Sequence, residues 1–509
     1  MYRPLASISN KFRNINNFSS IERSYQSSKA LPDLTKDRYA VQRGDFSEIK
    51  NSDIKHFESI LSSSRCITDK SDIESYNVDF LGAVRGYSQV LLKPKTTEEV
   101  STILQHCNSR KLAVCSQGGN TGLVGGSVPV FDEVILSMQL MNKIEHVDEM
   151  AGILVCQSGC ILEKLEEHVS ERGLCMPIDL GAKGTCHIGG NVSTNAGGLR
   201  LLRYGNLHGN VLGIEAVKAD GTILDLMSNF KKDNTGYHLK HLFIGSEGTL
   251  GVITKLAIAC PTASKAKNVA FLGLESYDAL LKTFLAAKRD LGEILSACEL
   301  IDSESLKVST QQYNLTSPIS EYPFYLLLET SGSNAEHDEE KVSNFLEAAM
   351  NRGDILDGTV SSEGNKVAQM WQLRESIPTA LIKEGYVFKY DISLPLSHFY
   401  EIVPVMRERV GDLAIRVCGY GHIGDSNLHL NVSCTEFNDN IYKRVEPFVY
   451  EYTSKLRGSI SAEHGIGFLK TNYLKYSKQP EALDLMKELK TMMDPNGILN
   501  PYKVLPRNT

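Results

Sequence analysis

Three glycine-dense segments crowd into the first half of this chain, and any fold must accommodate all of them. The first reads Ser116-Gln117-Gly118-Gly119-Asn120-Thr121-Gly122-Leu123-Val124-Gly125-Gly126-Ser127 and follows a short apolar stretch. It has neither the lysine of a GKS/T phosphate loop nor GxGxxG spacing, so it is not a Walker or Rossmann loop. Glycines placed this way remove side chains and permit positive φ. Successive backbone N–H groups can then line an anion-binding concavity, to which Ser116, Thr121 and Ser127 add hydroxyls. A pyrophosphate fits such a concavity. The second segment spans 181–198 and includes Gly189, Gly190, Asn195 and Gly198; the third spans 245–251. One run of this kind is an ordinary tight turn, whereas three in one unit point to a long ligand lying against bare backbone.

Around these segments, β-rich runs at 90–92, 112–115, 134–136, 153–155 and 251–258 alternate with helical periodicity at 98–111 and from Ile161 through Val169. Asp220-Gly221 is a hairpin signal. After Pro261 the texture changes to longer amphipathic stretches at 277–291, 336–351 and 397–410, separated by strand-like 324–329 and 387–393. A last helix at 481–493 is closed by Asp494-Pro495-Asn496-Gly497. A chain of 509 residues can bury at least two sizeable cores. The expected organisation is an α+β fold divided into a leader at 1–32, a cofactor domain at 33–264, an α+β cap at 265–455 and a C-terminal segment at 456–509 that completes the active site.

A net charge of −7 and a pI near 6.0 exclude a sequence-independent nucleic-acid or anionic-membrane binder, which needs surplus Lys and Arg. No run approaches the roughly twenty apolar residues of a membrane span. The eleven cysteines are scattered without CxxC pairs and read as reduced, buried thiols. At the N-terminus, Arg3, Lys11, Arg13 and Arg23 stand among Ser and Asn, with Glu22 the only acid before Asp33. That is the composition of a mitochondrial transit peptide, and also of a merely disordered leader.

In the second half, His422 and His429 flank a glycine-bearing turn, and Glu463-His464 follows. Two imidazoles and a carboxylate are the ligand set of a catalytic metal site with a position left for substrate. Zn, Mn and Co all accept such ligands, and each histidine alone reads as readily as a structural residue. Cationic anchors for an anionic substrate are available in Arg374 and Lys389, the first able to grip a carboxylate with two hydrogen bonds, the second a point charge.

Gly86-Tyr87-Ser88, the three glycine segments, and the run from Arg203 through Gly213 resemble, almost continuously, the FAD domain of the vanillyl-alcohol oxidase type flavoproteins, and most closely their D-2-hydroxyglutarate dehydrogenase branch. The likeness extends to the C-terminus. It implies non-covalent FAD, because relatives with covalent flavin carry a histidine where Asn120 stands. Ser116, Gly118, Gly119, Asn120, Thr121 and Gly122 would cradle the pyrophosphate. Gly189, Gly190, Asn195 and Gly198 would run along the cofactor, the main chain of Val252 and Ile253 would meet the isoalloxazine, and Asn500 would approach it. It further implies that His422, His429 and Glu463 bind Zn2+, that His464 is the base, and that Arg374, Lys389 and Asn431 hold the substrate.

The implied reaction oxidises D-2-hydroxyglutarate to 2-oxoglutarate, with metal-assisted deprotonation of the hydroxyl and hydride transfer from C2 to flavin N5. Lys389 favours a diacid over D-lactate, the alternative substrate. Electron transfer flavoprotein would be the acceptor and the mitochondrial matrix the compartment, with a homodimer among the assemblies left open. One departure stands out. Many members place a Thr or Ser four residues after the arginine, where this chain has Pro378 followed by Thr379.

Overall fold

The computed structural model describes residues 31–506. The leader expectation falls almost wholly on residues 1–30, outside the described range. The fold is α+β, built from three sheets. The first consists of β1 (Cys66–Ile67), β2 (Leu91–Leu92), β3 (Val114–Gln117) and β4 (Val134–Ser137) in the order β1-β2-β4-β3. Its helix Thr97–Arg110 shows why the sequence pattern works. The Thr96 hydroxyl accepts the Glu99 N–H, Glu98 and Glu99 sit in the first turn, and Val100, Ile103, Leu104 and Cys107 form the buried stripe. Lys111 ends the helix in the left-handed conformation.

The second sheet, β5 (Ile144–Asp148), β6 (Ile153–Gln157), β7 (Val211–Val217), β8 (Ile223–Leu226) and β9 (Val252–Ala259), has the order β5-β6-β9-β7-β8 and is antiparallel throughout. The hairpin expected at Asp220-Gly221 joins β7 to β8, with Gly221 at φ 86°. Part of the second glycine segment is a helix at Ile188–Thr194. A Cβ on Gly190 would meet nothing within 4 Å, so one face of that helix is bare backbone over open space.

The third sheet begins at β10 (Ala266–Leu274), followed by β11 (Leu295–Asp302), β12 (Phe324–Gly332), β13 (Asp357–Ser361), β14 (Tyr386–Ser393), β15 (Arg416–His422) and β16 (Asn427–Cys434). The order is β13-β10-β12-β11-β15-β16-β14, with every neighbouring pair antiparallel. Helices cover both faces, so its strands alternate between two cores. Leu300, Leu428 and Leu430 enter one, and Ile301, Leu327 and Tyr420 enter the other. The helix expected at 397–410 begins only at Ile402. Pro404 has no N–H and would clash with the carbonyl one turn back, so the helix can start only within the turn before it.

The C-terminal segment returns across both halves. After the helix Pro480–Met493, the Val114 N–H donates to the Ile498 carbonyl and the Asn500 N–H to the Val114 carbonyl, adding a short parallel bridge at Leu499 to the free edge of β3. All eleven cysteines are unbridged and buried. Among the described residues, no helix is long and apolar enough to cross a membrane.

Candidate active site

Register in the third sheet assembles the polar centre. Asp391, His429 and Tyr420 lie in one row across β14, β16 and β15, while Glu299, His422 and Asn427 lie in the next row across β11, β15 and β16. Lys389 and Asn431 follow two residues along, on the same face. The segment after β16's sheet supplies Glu463 and His464, whose backbone N–H groups donate to Asp391 Oδ2 at 3.0 and 2.9 Å.

Three imidazoles converge on one carboxylate oxygen. The Nε2 atoms of His422, His429 and His464 lie 3.7, 3.9 and 3.8 Å from Glu463 Oε1. Glu463 Oε2 accepts the Gly198 N–H at 2.8 Å, which ties the second glycine segment to the cluster. The rings are held from behind. His422 Nδ1 lies 2.7 Å from Glu299 Oε1, and the Nδ1 atoms of His429 and His464 face Asp391 at 3.7 and 3.6 Å.

Asp391, His429, Glu463 and His464 offer ligand atoms all within 4.8 Å of one another, a group that leaves out the expected ligand His422 and takes in the expected base His464 and Asp391. The oxygens of Asp391 are already committed. Oδ1 accepts from the Asn427 amide at 2.8 Å and Oδ2 from the two backbone N–H groups, which fits an orienting carboxylate better than a ligand.

The electrostatics suit a cation. Burial alone would lower the His422 pKa, but Glu299 and Glu463 beside it hold it well above the ordinary imidazole value. Burial likewise opposes ionisation of Glu463, and the histidines around it override that and bring it down to about 2. His429 is driven down to about 3, chiefly by burial, which leaves a neutral ring able to ligate. Glu299 and Asp391 are buried and Glu463 is nearly enclosed, and of the three Glu299 is the one paired with Arg374. Ligand atoms about 2.0–2.1 Å from a tetrahedral zinc stand roughly 3.4 Å apart, so the separations seen need only a small inward rotation. The residues fit a divalent metal.

Arg374 is not the free anchor its sequence position implied. Its Nε and a terminal nitrogen both lie 2.9 Å from Glu299 Oε2, and the guanidinium stacks over Tyr420 at 4.7 Å. Asn431 lies beside Tyr420 on the same face of the sheet. Lys389 contrasts with Arg374. Among the described residues it has no hydrogen bond or carboxylate partner, and burial lowers its ammonium to about 8. It lines a cavity of about 1800 Å³ between the two halves, together with His464 and Thr379 on one wall and Gly119, Asn120 and Thr121 on the other. Pro378 opens the helix Ile377–Glu384, and the Thr379 hydroxyl, in contact with Tyr313, reaches the cavity in its place.

The glycine segments pack as a cradle. A Cβ on Gly119 would sit 2.2 Å from the Thr185 carbonyl, and Gly118 faces His187 and Gly190, whereas Gly122, like Gly190, looks into open space. Beside them the buried His187 Nδ1, Ser158 Oγ and Asn191 Oδ1 have no hydrogen-bond partner. Orphaned polar atoms around bare backbone are what a bound dinucleotide would satisfy. Asn120 adopts φ 54°, donating to the Val78 carbonyl and accepting from Ser127. Asn195 caps its helix at φ 51°, and Gly198 is left-handed at φ 75°.

Ser116 Oγ and the Asn500 amide meet at Gly248, where Asn500 also donates to the Glu247 carbonyl. The side chains of Val252 and Ile253 enter two different cores. β6 pairs with β9 only from Lys255 onward, so only main chain at these two positions is available to a ligand. Sequence reading missed Glu299 and Asp391. The signal for each was a carboxylate inside an otherwise buried strand.

Residues 88–227 match the family model described as FAD binding domain, and residues 263–504 that of FAD linked oxidases, C-terminal domain. The chain is 56% identical over 486 residues to "D-2-hydroxyglutarate dehydrogenase, mitochondrial" of Rattus norvegicus, covering 95% of this chain and 91% of that protein. It is equally 56% identical to the Danio rerio protein of the same name over 469 residues, covering 92% and 88%. Its fold superposes on p-cresol methylhydroxylase with a TM-score of 0.72 at 15% identity, over 90% of this chain and 98% of that one. The vanillyl-alcohol oxidase type architecture is thereby established. The chain is an FAD-dependent dehydrogenase and belongs to the D-2-hydroxyglutarate dehydrogenase family.

Proposed function

We propose that this protein oxidises D-2-hydroxyglutarate to 2-oxoglutarate, with the substrate held between the cap sheet and the flavin cradle. The observation that carries the substrate assignment is the unpaired ammonium of Lys389 in the same cavity as His464. A partly buried cation without a counter-charge is costly, and a second substrate carboxylate would offset that cost; a monoacid such as D-lactate would not.

When bound, non-covalent FAD would accept at N5 the hydride leaving C2, and Zn2+ or another divalent ion at His422, His429 and Glu463 would lower the pKa of the substrate hydroxyl. His464 receives the hydroxyl proton at Nε2, while Asp391 behind Nδ1 steadies the ring and the imidazolium that results. Arg374, braced by Glu299 and Tyr420, grips one carboxylate, and Lys389 attracts the other. Asn431, opposite Lys389 in the β14–β16 register, would add its amide to the substrate's surroundings. Asn120 offers a carboxamide already engaged at both ends and no nucleophilic ring nitrogen, which supports a dissociable cofactor.

Electron transfer flavoprotein as acceptor rests on the family resemblance, and the mitochondrial matrix on the mitochondrial names of both relatives. Anaerobic mixing of metal-loaded protein with D- and L-2-hydroxyglutarate and D-lactate, followed at the flavin absorbance, tests the reading. Bleaching by the D diacid, slower with D-lactate and absent with the L form, is expected. Faster bleaching by D-lactate would overturn the substrate assignment.

A further inference from the structure

Glu299 lies in β11, whose residues Leu295–Asp302 are buried along their whole length, and it is 1% exposed. A carboxylate in such a place is costly unless each oxygen is engaged. Here the two oxygens serve two different elements. Oε1 meets His422 Nδ1 on β15, and Oε2 meets Arg374 Nε on the helix Gly364–Glu375.

We propose that Glu299 is a positioning residue that couples the metal site to the substrate anchor, setting through one carboxylate both the tautomer of His422 and the aim of Arg374. The inference rests on the metal-assisted reading above and extends it to a residue that touches neither metal nor substrate.

The argument follows from donors and acceptors. An ionised carboxylate only accepts, so it keeps the proton of His422 on Nδ1 and leaves Nε2 as the nitrogen that gives up its proton to a cation beside Glu463, where a ligand is needed. The same carboxylate holds one edge of the Arg374 guanidinium, which is stacked on Tyr420, and thereby limits how the remaining edge can meet a substrate carboxylate. Glutamine at this position would have one acceptor and one donor for two partners. Arg374 cannot surrender its proton, so the amide oxygen would turn to it and the amide NH2 would face His422 Nδ1. That arrangement favours the tautomer with its proton on Nε2, which cannot ligate.

A core ion pair with no such role would respond differently to a second substitution, and this gives the test. Zn2+ affinity is measured by competition with a fluorescent chelator on FAD-loaded wild-type protein, Glu299→Gln, Arg374→Met and the double variant, with flavin content and Tm checking the fold. Glu299→Gln should weaken Zn2+ binding roughly 10–100-fold. In the double variant the amide is free to turn its oxygen to His422, and Zn2+ affinity should recover to within a few-fold of wild type while 2-oxoglutarate binding stays lost. Arg374→Met alone should tighten Zn2+ binding several-fold, because the whole Glu299 charge then faces His422.

Unchanged Zn2+ affinity in Glu299→Gln, or equal weakness in the single and double variants, would overturn the coupling. If Glu299→Gln does not fold, an Arg374→Met protein that binds Zn2+ as wild type does would overturn it on its own. A wild-type protein that binds no divalent ion overturns the metal reading and this inference with it, whereas tight wild-type binding with an indifferent Glu299→Gln overturns the inference alone.

Discussion

Lys389 and His464 share a cavity but should fail in different ways when replaced. Lys389→Met removes a charge-assisted contact of about 1.5–3 kcal/mol, so the KM for D-2-hydroxyglutarate should rise roughly 10–100-fold while that for D-lactate barely moves. Because burial brings the ammonium down to about 8, it is charged below that pH and neutral above it. The diacid KM should therefore climb as pH passes through about 8, with no matching change for D-lactate in the same steady-state series. His464→Gln should instead lower kcat by about 10²–10⁴ and leave flavin content and Zn2+ affinity in place.

At this scale the sequence was readable for proximity within each short segment, and the structure gathers the rings of His422, His429 and His464 round Glu463, while their roles came from the likeness to relatives. The sequence was not readable where partners come from distant strands. Glu299 is 123 residues from His422 and meets it only through the β11–β15 register, and the same contact network turns Arg374 from a free cation into a braced one.

Elements show the same division. The strands at 112–115, 134–136 and 153–155 and the helix at 98–111 were legible because apolar periodicity and capping residues are local signals. The helix Ile188–Thr194 was not, since paired glycines argue against helix on propensity; Gly189 allows the close approach of Ser158, and Gly190 leaves an open face. Two glycine substitutions should separate packing from ligand contact. Gly119→Ala would drive a Cβ to within 2.2 Å of the Thr185 carbonyl, so Tm should drop by several degrees along with flavin content. Gly190→Ala meets nothing and should fold with an unchanged Tm for the FAD-free protein, yet retain less FAD on dialysis.

Across the whole molecule, the cavity has one wall from the first glycine segment, one from the cap sheet, and its His464 corner from the C-terminal segment. Chelation should leave the flavin spectrum intact but abolish bleaching by D-2-hydroxyglutarate, and Zn2+ or Mn2+ should restore it. The two-domain layout was legible from the change of texture near residue 265, where β10 begins at Ala266. The way a distant segment closes the first sheet came only from the likeness to relatives, because a lone turn after a helix carries no address.

That closure has a consequence for how the protein is made. The edge of β3, just ahead of the pyrophosphate loop, has its backbone groups satisfied by Ile498 and Asn500, residues that leave the ribosome hundreds of positions later. Until those residues have been made, the edge of β3 is an open seam, so the first sheet can close only when synthesis is nearly complete. A chain stopped between residues 465 and 497 would keep His422, His429, Glu463 and His464 and should still hold flavin poorly, which flavin content after dialysis would show.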